Sequence, residues 1–593
     1  MTRVLRATAD RRIRGPYTFG GALVATLLPG APAELTAAYD IELRAMAPDL
    51  DVPERRSPLT ARVDRSERIL VPAPQHTLRL ANGVAEFVRA RLESDGVLTV
   101  HLTGIEQADQ ADRELLAVLE RRVSALNVEL DDDPGGGPLE DLTPEEHDAR
   151  ADALTAEGST AVRLGAVPYH RARGTDRRKA AEDHLFAVYW CLDHGCHDAA
   201  AELGERGLAF ADPGSRVWWE LIHRAAMALG ALEREQDAER LLHRARRGTT
   251  SAVWHSTICY SLAMLTTRHH DPAARDLDAA YGWINNAIAL CGLLPDPAER
   301  AVKLGFDLNG KALVVSRLGD LDEALRLVQE AIDLADRDLS PGAQRVHRMV
   351  LLANRAQVYD RLGRTKEALL DWDDVITADP AYPDYYIDRG NLRHRLGMFD
   401  EAIADYEAAM SAGPPFSEPY FNRSQVRYDL GDTGGALADL DRALELDPGF
   451  TEAYPNRAGL LVALERHAEA RADCEAGLRL TPDDPYLLCV LGQVEAAAGR
   501  HTQARDAFDR ALERDPALAE AWASRGMLAF DTGDAAGAVA DLTEAVVLSE
   551  DAPLLFNRAV VLRSLGRENE ARDDLLRAQE LAPDDEDIRK ALS

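Results

Sequence analysis

Asn354-Arg355-Ala356, Asp388-Arg389-Gly390, Asn422-Arg423-Ser424, Asn456-Arg457-Ala458, Ser524-Arg525-Gly526 and Asn557-Arg558-Ala559 are copies of one phrase. They recur at about 34 residues or a multiple of it, with one residue lost before the last copy, and such a period marks an array of stacked helical hairpins. The punctuation inside each period agrees. Leu362-Gly363, Leu396-Gly397, Leu430-Gly431 and Leu565-Gly566 predict the end of a first helix, because glycine takes the left-handed backbone that this cap requires. Ala368, Ala402, Ala436, Ala470, Ala504, Ala538 and Ala571 follow five residues on. They are small enough to let two helices approach closely. Pro380, Pro414, Pro448, Pro482, Pro516 and Pro583 close the second helix, since proline cannot extend one. An earlier unit, marked by Leu318-Gly319, Ala324 and Ala331, starts near Gly305, and an insertion around 338–347 follows it.

In register over successive units, these residues resemble the tetratricopeptide repeat family. The resemblance implies stacked helix pairs with the first helices lining a concave side. No unit can bury its apolar stripe alone, so neighbours stabilise one another. The expected fold is mainly α: a right-handed α-solenoid of tetratricopeptide hairpins preceded by a small α/β domain. Five segments are expected: the α/β domain at 1–130, a linker at 131–141, divergent helical hairpins at 142–300, the regular array at 301–583 and a charged C-terminal cap at 584–593. The linker rests on Asp131-Asp132-Asp133-Pro134-Gly135-Gly136-Gly137-Pro138, which is acidic, glycine-rich and turn-forming.

Charge narrows the partners. Acids outnumber Lys and Arg by 101 to 68, a formal net charge of -33, which argues against nucleic acid, because phosphate neutralisation needs a basic excess. A partner protein of neutral to basic character is expected instead. Cys191, Cys196, Cys259, Cys291, Cys474 and Cys489 are scattered without disulfide-like spacing and read as reduced core residues of a cytoplasmic protein. No apolar run is long enough for a membrane span. Arg11-Arg12-Ile13-Arg14 before the mildly apolar Gly20–Leu28 imitates an export signal, but glycines interrupt the run and Asp10 sits in the basic region.

Ahead of the repeats, helices are expected over Ala31–Met46, Leu78–Leu92 and Asp112–Val123, with strands over Val97–Leu102 and Asn127–Leu130. This order looks like a fragment of a nucleotide-binding domain. Thr103, however, stands where an acid for the Mg²⁺ shell belongs, so the fragment reads as a degenerate remnant. Gly305-Phe306-Asp307-Leu308-Asn309-Gly310-Lys311-Ala312 is a loose phosphate-loop match, but Ala312 replaces the hydroxyl that Mg²⁺ requires and the stretch falls inside a repeat helix. A strong helix start at Thr143-Pro144-Glu145-Glu146 predicts one helix as far as Leu164. A basic loop at 171–179 then leads into looser hairpins with Trp190, Trp218, Trp219, Trp254 and Trp283.

Chemistry-bearing clusters are few. Cys191, His194, Cys196 and His197 crowd one inter-helix turn, and no second ligand pair follows, as a structural zinc site would need. His269-His270-Asp271 reads as a solvated loop. No catalytic residue, metal ligand or cofactor is assigned.

The repeated Asn-Arg pair separates into two series. Arg355, Arg389, Arg423, Arg457, Arg525 and Arg558 each have an acid sixteen residues on: Asp371, Asp405, Asp439, Asp473, Asp541 and Asp574. Where Leu491 replaces the arginine, Ala507 replaces the acid. Such coupling predicts an ion pair between the two helices of a hairpin. Asn354, Asp388, Asn422, Asn456 and Asn557 have no such mate. With Gln357, Asn391, Gln425 and Gln493 they resemble the asparagine ladder by which some tetratricopeptide superhelices hold a peptide backbone, for which an amide has both donor and acceptor. Bonding between neighbouring repeats is the other reading, and both stand.

The functional expectation is a non-enzymatic scaffold that binds an extended peptide or partner segment. Two alternatives are a regulator derived from a nucleotide-switched ATPase and a peptide-modifying enzyme with its site at 181–300.

Overall fold

The computed structural model describes residues 3–54, 57–59, 63, 76–131 and 142–592. The expected linker at 131–141 lies, apart from Asp131, outside the described residues. Two compact units divide the chain, residues 1–419 and 420–593.

The front of the first unit holds a three-stranded parallel sheet in the order β1 (Arg3–Thr8), β2 (Leu98–Thr103) and β3 (Leu126–Leu130). Thr8 pairs with Thr103 and Leu102 with Leu130, so the carboxyl ends of the strands are in line. Strand β1 is the element that sequence reading missed. It pairs on one side only and alternates half-buried and exposed residues over Arg3 to Arg6, so no apolar run announces it. The decoy signal stretch became a core helix, Thr18–Leu27, with Phe19, Leu23, Val24 and Leu27 fully buried. The helix expected over Ala31–Met46 is broken at Tyr39, between Ala33–Ala38 and Asp40–Met46.

Thr143 makes the predicted capping box with Glu146. The helix it starts ends at Ala156, however, because Gly158 takes φ +77°. Thr160–Leu164 and Ala166–Arg171 follow as separate short helices. At the basic stretch 171–179, only 172–176 is loop, and Arg177 opens the next helix.

From there hairpins succeed one another. Arg177–Asp193 pairs with His197–Gly207, Arg216–Ala231 with Glu235–Arg247, and Ala252–Arg268 with Leu277–Cys291. Pro297–Arg317 pairs with Leu321–Asp338, Arg345–Arg361 with Thr365–Ala378, and Pro383–Arg395 with Phe399–Ala412. The unit expected to begin near Gly305 thus starts at Pro297, capped by Asp296. One apolar core runs from the sheet through the divergent hairpins to Leu262. Trp219 stacks on Trp254 at 5.1 Å, and Gly248 is small because a Cβ would lie 2.7 Å from the Trp218 ring. The tryptophans therefore fill spaces between irregular helices.

The second unit continues the pattern with Ala453–Ala463 and His467–Leu480, Pro485–Ala497 and His501–Arg514, Ala519–Asp531 and Ala535–Leu548, and Ala552–Ser564 and Glu568–Leu581. The charged terminus forms a helix, Glu586–Leu592, that buries Ile588 against Leu555 and Ala578.

Candidate functional site

Each predicted Arg–Asp pair forms, and each is bidentate. Arg457 places Nε 2.7 Å and Nη2 2.6 Å from the Asp473 oxygens. Arg355, Arg389, Arg423, Arg525 and Arg558 do the same with Asp371, Asp405, Asp439, Asp541 and Asp574. Sequence reading missed the third arm. Nη1 reaches sixteen residues back, to Asp373 from Arg389 (2.6 Å), to Asp441 from Arg457 (2.8 Å) and to Asp509 from Arg525 (2.6 Å). One guanidinium therefore joins its own hairpin to the one before it, a use of the planar fork that lysine cannot copy. The acid sixteen residues upstream was the available signal. This series is architecture.

The polar series divides by position. In the first unit its members are tied down. Asn354 donates to Asn309 of the preceding hairpin at 2.8 Å, and Asn391 accepts from Tyr406 of its own hairpin at 2.8 Å. Gln357 hydrogen-bonds Asp388, whose carboxyl is pushed up to about 7 by burial, then by Asp384 and Glu418. The chain also covers this region with its own front segment. Leu59, 3 % exposed, joins the apolar cluster of Val346, Met349, Ala353 and Trp372, and its N–H donates to Asp379 at 2.8 Å. Arg79 lies 3.8 Å over the Phe416 ring and 3.5 Å from Asp384.

In the second unit Gln425 and Asn456 are exposed, one on each of two successive first helices. The Asn456 amide donates only to the Glu452 carbonyl of its own helix, at 3.0 Å. Asn422 is buried and Asn557 half-buried. Gln493 is engaged, donating to Glu520 at 2.9 Å and Ser524 at 3.1 Å on the following first helix. Glu452 and Glu520 are exposed beside this series.

The other clusters resolve on geometry. The phosphate-loop look-alike lies wholly in the helix Pro297–Arg317, with Asp307 buried and accepting from the Cys291 thiol at 2.9 Å. His194-Gly195-Cys196 is an inter-helix turn with Gly195 at φ +71°, His197 opens the next helix, and His194 stacks on Trp190 at 3.9 Å. Glu235, His269 and His270 gather potential ligand atoms within 4.8 Å of one another. Two ligands about 2.1 Å from one ion are at most about 4.2 Å apart, so these three do not yet enclose one. His270 Nδ1 instead bonds Glu235 at 3.0 Å, which raises its pKa.

A solenoid of paired helices, clasped between neighbours and carrying a polar series on its first helices, is a repeat protein of the interaction class. Family models agree: residues 353–415, 421–485, 489–553 and 552–585 match the tetratricopeptide repeat, and the chain carries these repeats. Among solved structures it is similar to a tetratricopeptide repeat protein from Parabacteroides merdae, at 22% identity over 41% of this chain and 97% of that one, with a TM-score of 0.37. It is also similar to Cut9–Hcn1 of the APC/C, at 15% identity over 75% and 94%, with a TM-score of 0.37. YrrB, described as having an unusual peptide-binding site, is 24% identical over 31% and 96%, with a TM-score of 0.24. No curated protein matches. No helix among the described residues is long and apolar enough to cross a membrane.

Proposed function

We propose that the chain is a non-enzymatic scaffold that holds an extended peptide or partner segment against the first helices of its second unit, in the cytoplasm. The observation that supports this most is the pair of exposed amides, Gln425 and Asn456, at related positions of consecutive hairpins. An amide side chain there offers both a donor and an acceptor to a passing backbone, whatever its side chains. Asn422, Gln493 and Asn557 sit in the same polar series and set its limits. The exposed Glu452 and Glu520 favour a neutral to basic segment over an acidic one. In the first unit Asn354, Gln357, Asp388 and Asn391 belong to the same series but are already engaged, so the second unit is the receiving surface.

The test is a pull-down comparing wild type with the Gln425→Ala, Asn456→Ala double variant. Loss of specific partners with an unchanged melting temperature supports the reading. Identical partners in both samples overturn it.

A further inference from the structure

At the carboxyl end of β1 the chain forms a partly open cavity of about 70 Å³. Arg11 and Arg12 come from a short helix just past the strand, Arg11–Arg14, Asp109 from the turn after β2, Tyr169 and Arg206 from later helices, and Arg173 from the loop 172–176. In open α/β sheets the crevice beyond the carboxyl ends of the strands is where small ligands bind.

Two features of the lining call for an occupant. Asp109 is 5 % exposed, and only one of its oxygens is used, accepting from the Asp112 N–H at 3.0 Å; Oδ2 has no partner. A buried polar atom left unmatched costs about 1–3 kcal/mol. Burial also pushes this carboxyl upward, toward the neutral form that donates a proton. The second feature is charge. Arg11, Arg12, Arg173 and Arg206 line the same cavity with Glu202 and Asp109, and Arg12 is already paired with buried Asp10, Nε at 2.8 Å and Nη2 at 2.6 Å, in a chain of net charge -33. Glu202 is shared between Arg11 (2.9 Å) and Arg206 (2.6 Å). Arg173 lies 3.7 Å over the Tyr169 ring with its side chain exposed, and bonds only the Tyr169 carbonyl, at 3.1 Å.

We propose that this cavity binds a small oxyanion, a carboxylate or a phosphate, between the arginines and the Asp109 carboxyl. The guanidiniums supply charge and forked donors, and the Asp109 carboxyl lies on the buried side. The space is small: about 70 Å³ is about two waters' worth at their liquid volume, a scale that suits a compact oxyanion.

Calorimetric titration of the full chain with sodium lactate and, separately, with inorganic phosphate tests this, each against sodium chloride at matched ionic strength. A saturable heat with either oxyanion and none with chloride is expected; lactate alone marks a carboxylate site and phosphate alone a phosphate site. Arg173→Ala should weaken binding at least tenfold without lowering the melting temperature. Asp109→Asn, which keeps an oxygen for the helix cap and offers an amide donor, should still bind. Heats that match chloride for both oxyanions, or wild-type binding by Arg173→Ala, overturn the proposal.

Discussion

The polar series of residues 354–391 and that of residues 425–456 start from the same repeat positions and end in different states. In the first region the side chains bond one another or their neighbours, and Leu59 and Arg79 of the same chain lie over the helices around them. In the second, Gln425 and Asn456 face solvent. The difference teaches that a repeat position does not carry a role by itself. What a side chain of the series does depends on whether the adjoining hairpin, or a distant stretch of the chain, supplies it with a partner.

The largest test uses what the two regions share. Arg355→Met and Arg457→Met each leave a buried aspartate, Asp371 and Asp473, without its fork, so each should cost about 3 kcal/mol or more in denaturant unfolding. A silent variant in one region only would break the structural equivalence of the two. Leu59→Ala should cost about 2 kcal/mol and should raise hydrogen exchange around Met349 and Trp372. No change there would mean that the front segment does not cover these helices.

Asp388 gives a pH-dependent version of the contrast. Its folded pKa is raised from 3.8 to about 7, so the folded state favours the protonated carboxyl. Its contribution is present below pH 4 and is lost as pH rises from about 4 to about 7. Asp388→Asn should therefore stabilise at pH 8 by about 1 kcal/mol, because solvent around the half-buried carboxyl screens most of the penalty. It should do nothing at pH 4. Melting curves at the two pH values decide it, and an equal shift at both would reject the assignment. The smallest effect is the sharpest comparison. Asn354→Ala removes an amide–amide bond and should lose about 1 kcal/mol, whereas Asn456→Ala should stay within about 0.5 kcal/mol.

The hairpins and the Arg–Asp pairs were legible in sequence because period and covariation within one chain report local geometry. Arg457 and Asp473 are sixteen residues apart, and the spacing alone fixes their meeting. The third arm, to Asp441, needed only the same count backwards. What was not legible is long-range. Nothing in Ser57-Pro58-Leu59 announces a seat beside Trp372, and β1 lacks the apolar run that made β2 plain. The oxyanion cavity was also hidden, because Arg11, Asp109 and Arg173 come from separate stretches of chain that only the fold assembles.

The bond from Leu59 to Asp379 spans 320 residues of chain. At a synthesis rate of about 5–20 residues per second, Leu59 leaves the ribosome roughly 15 to 60 s before its acceptor exists. That leucine must therefore wait uncovered while those 320 residues are made, and the helices that receive it are born without their cover.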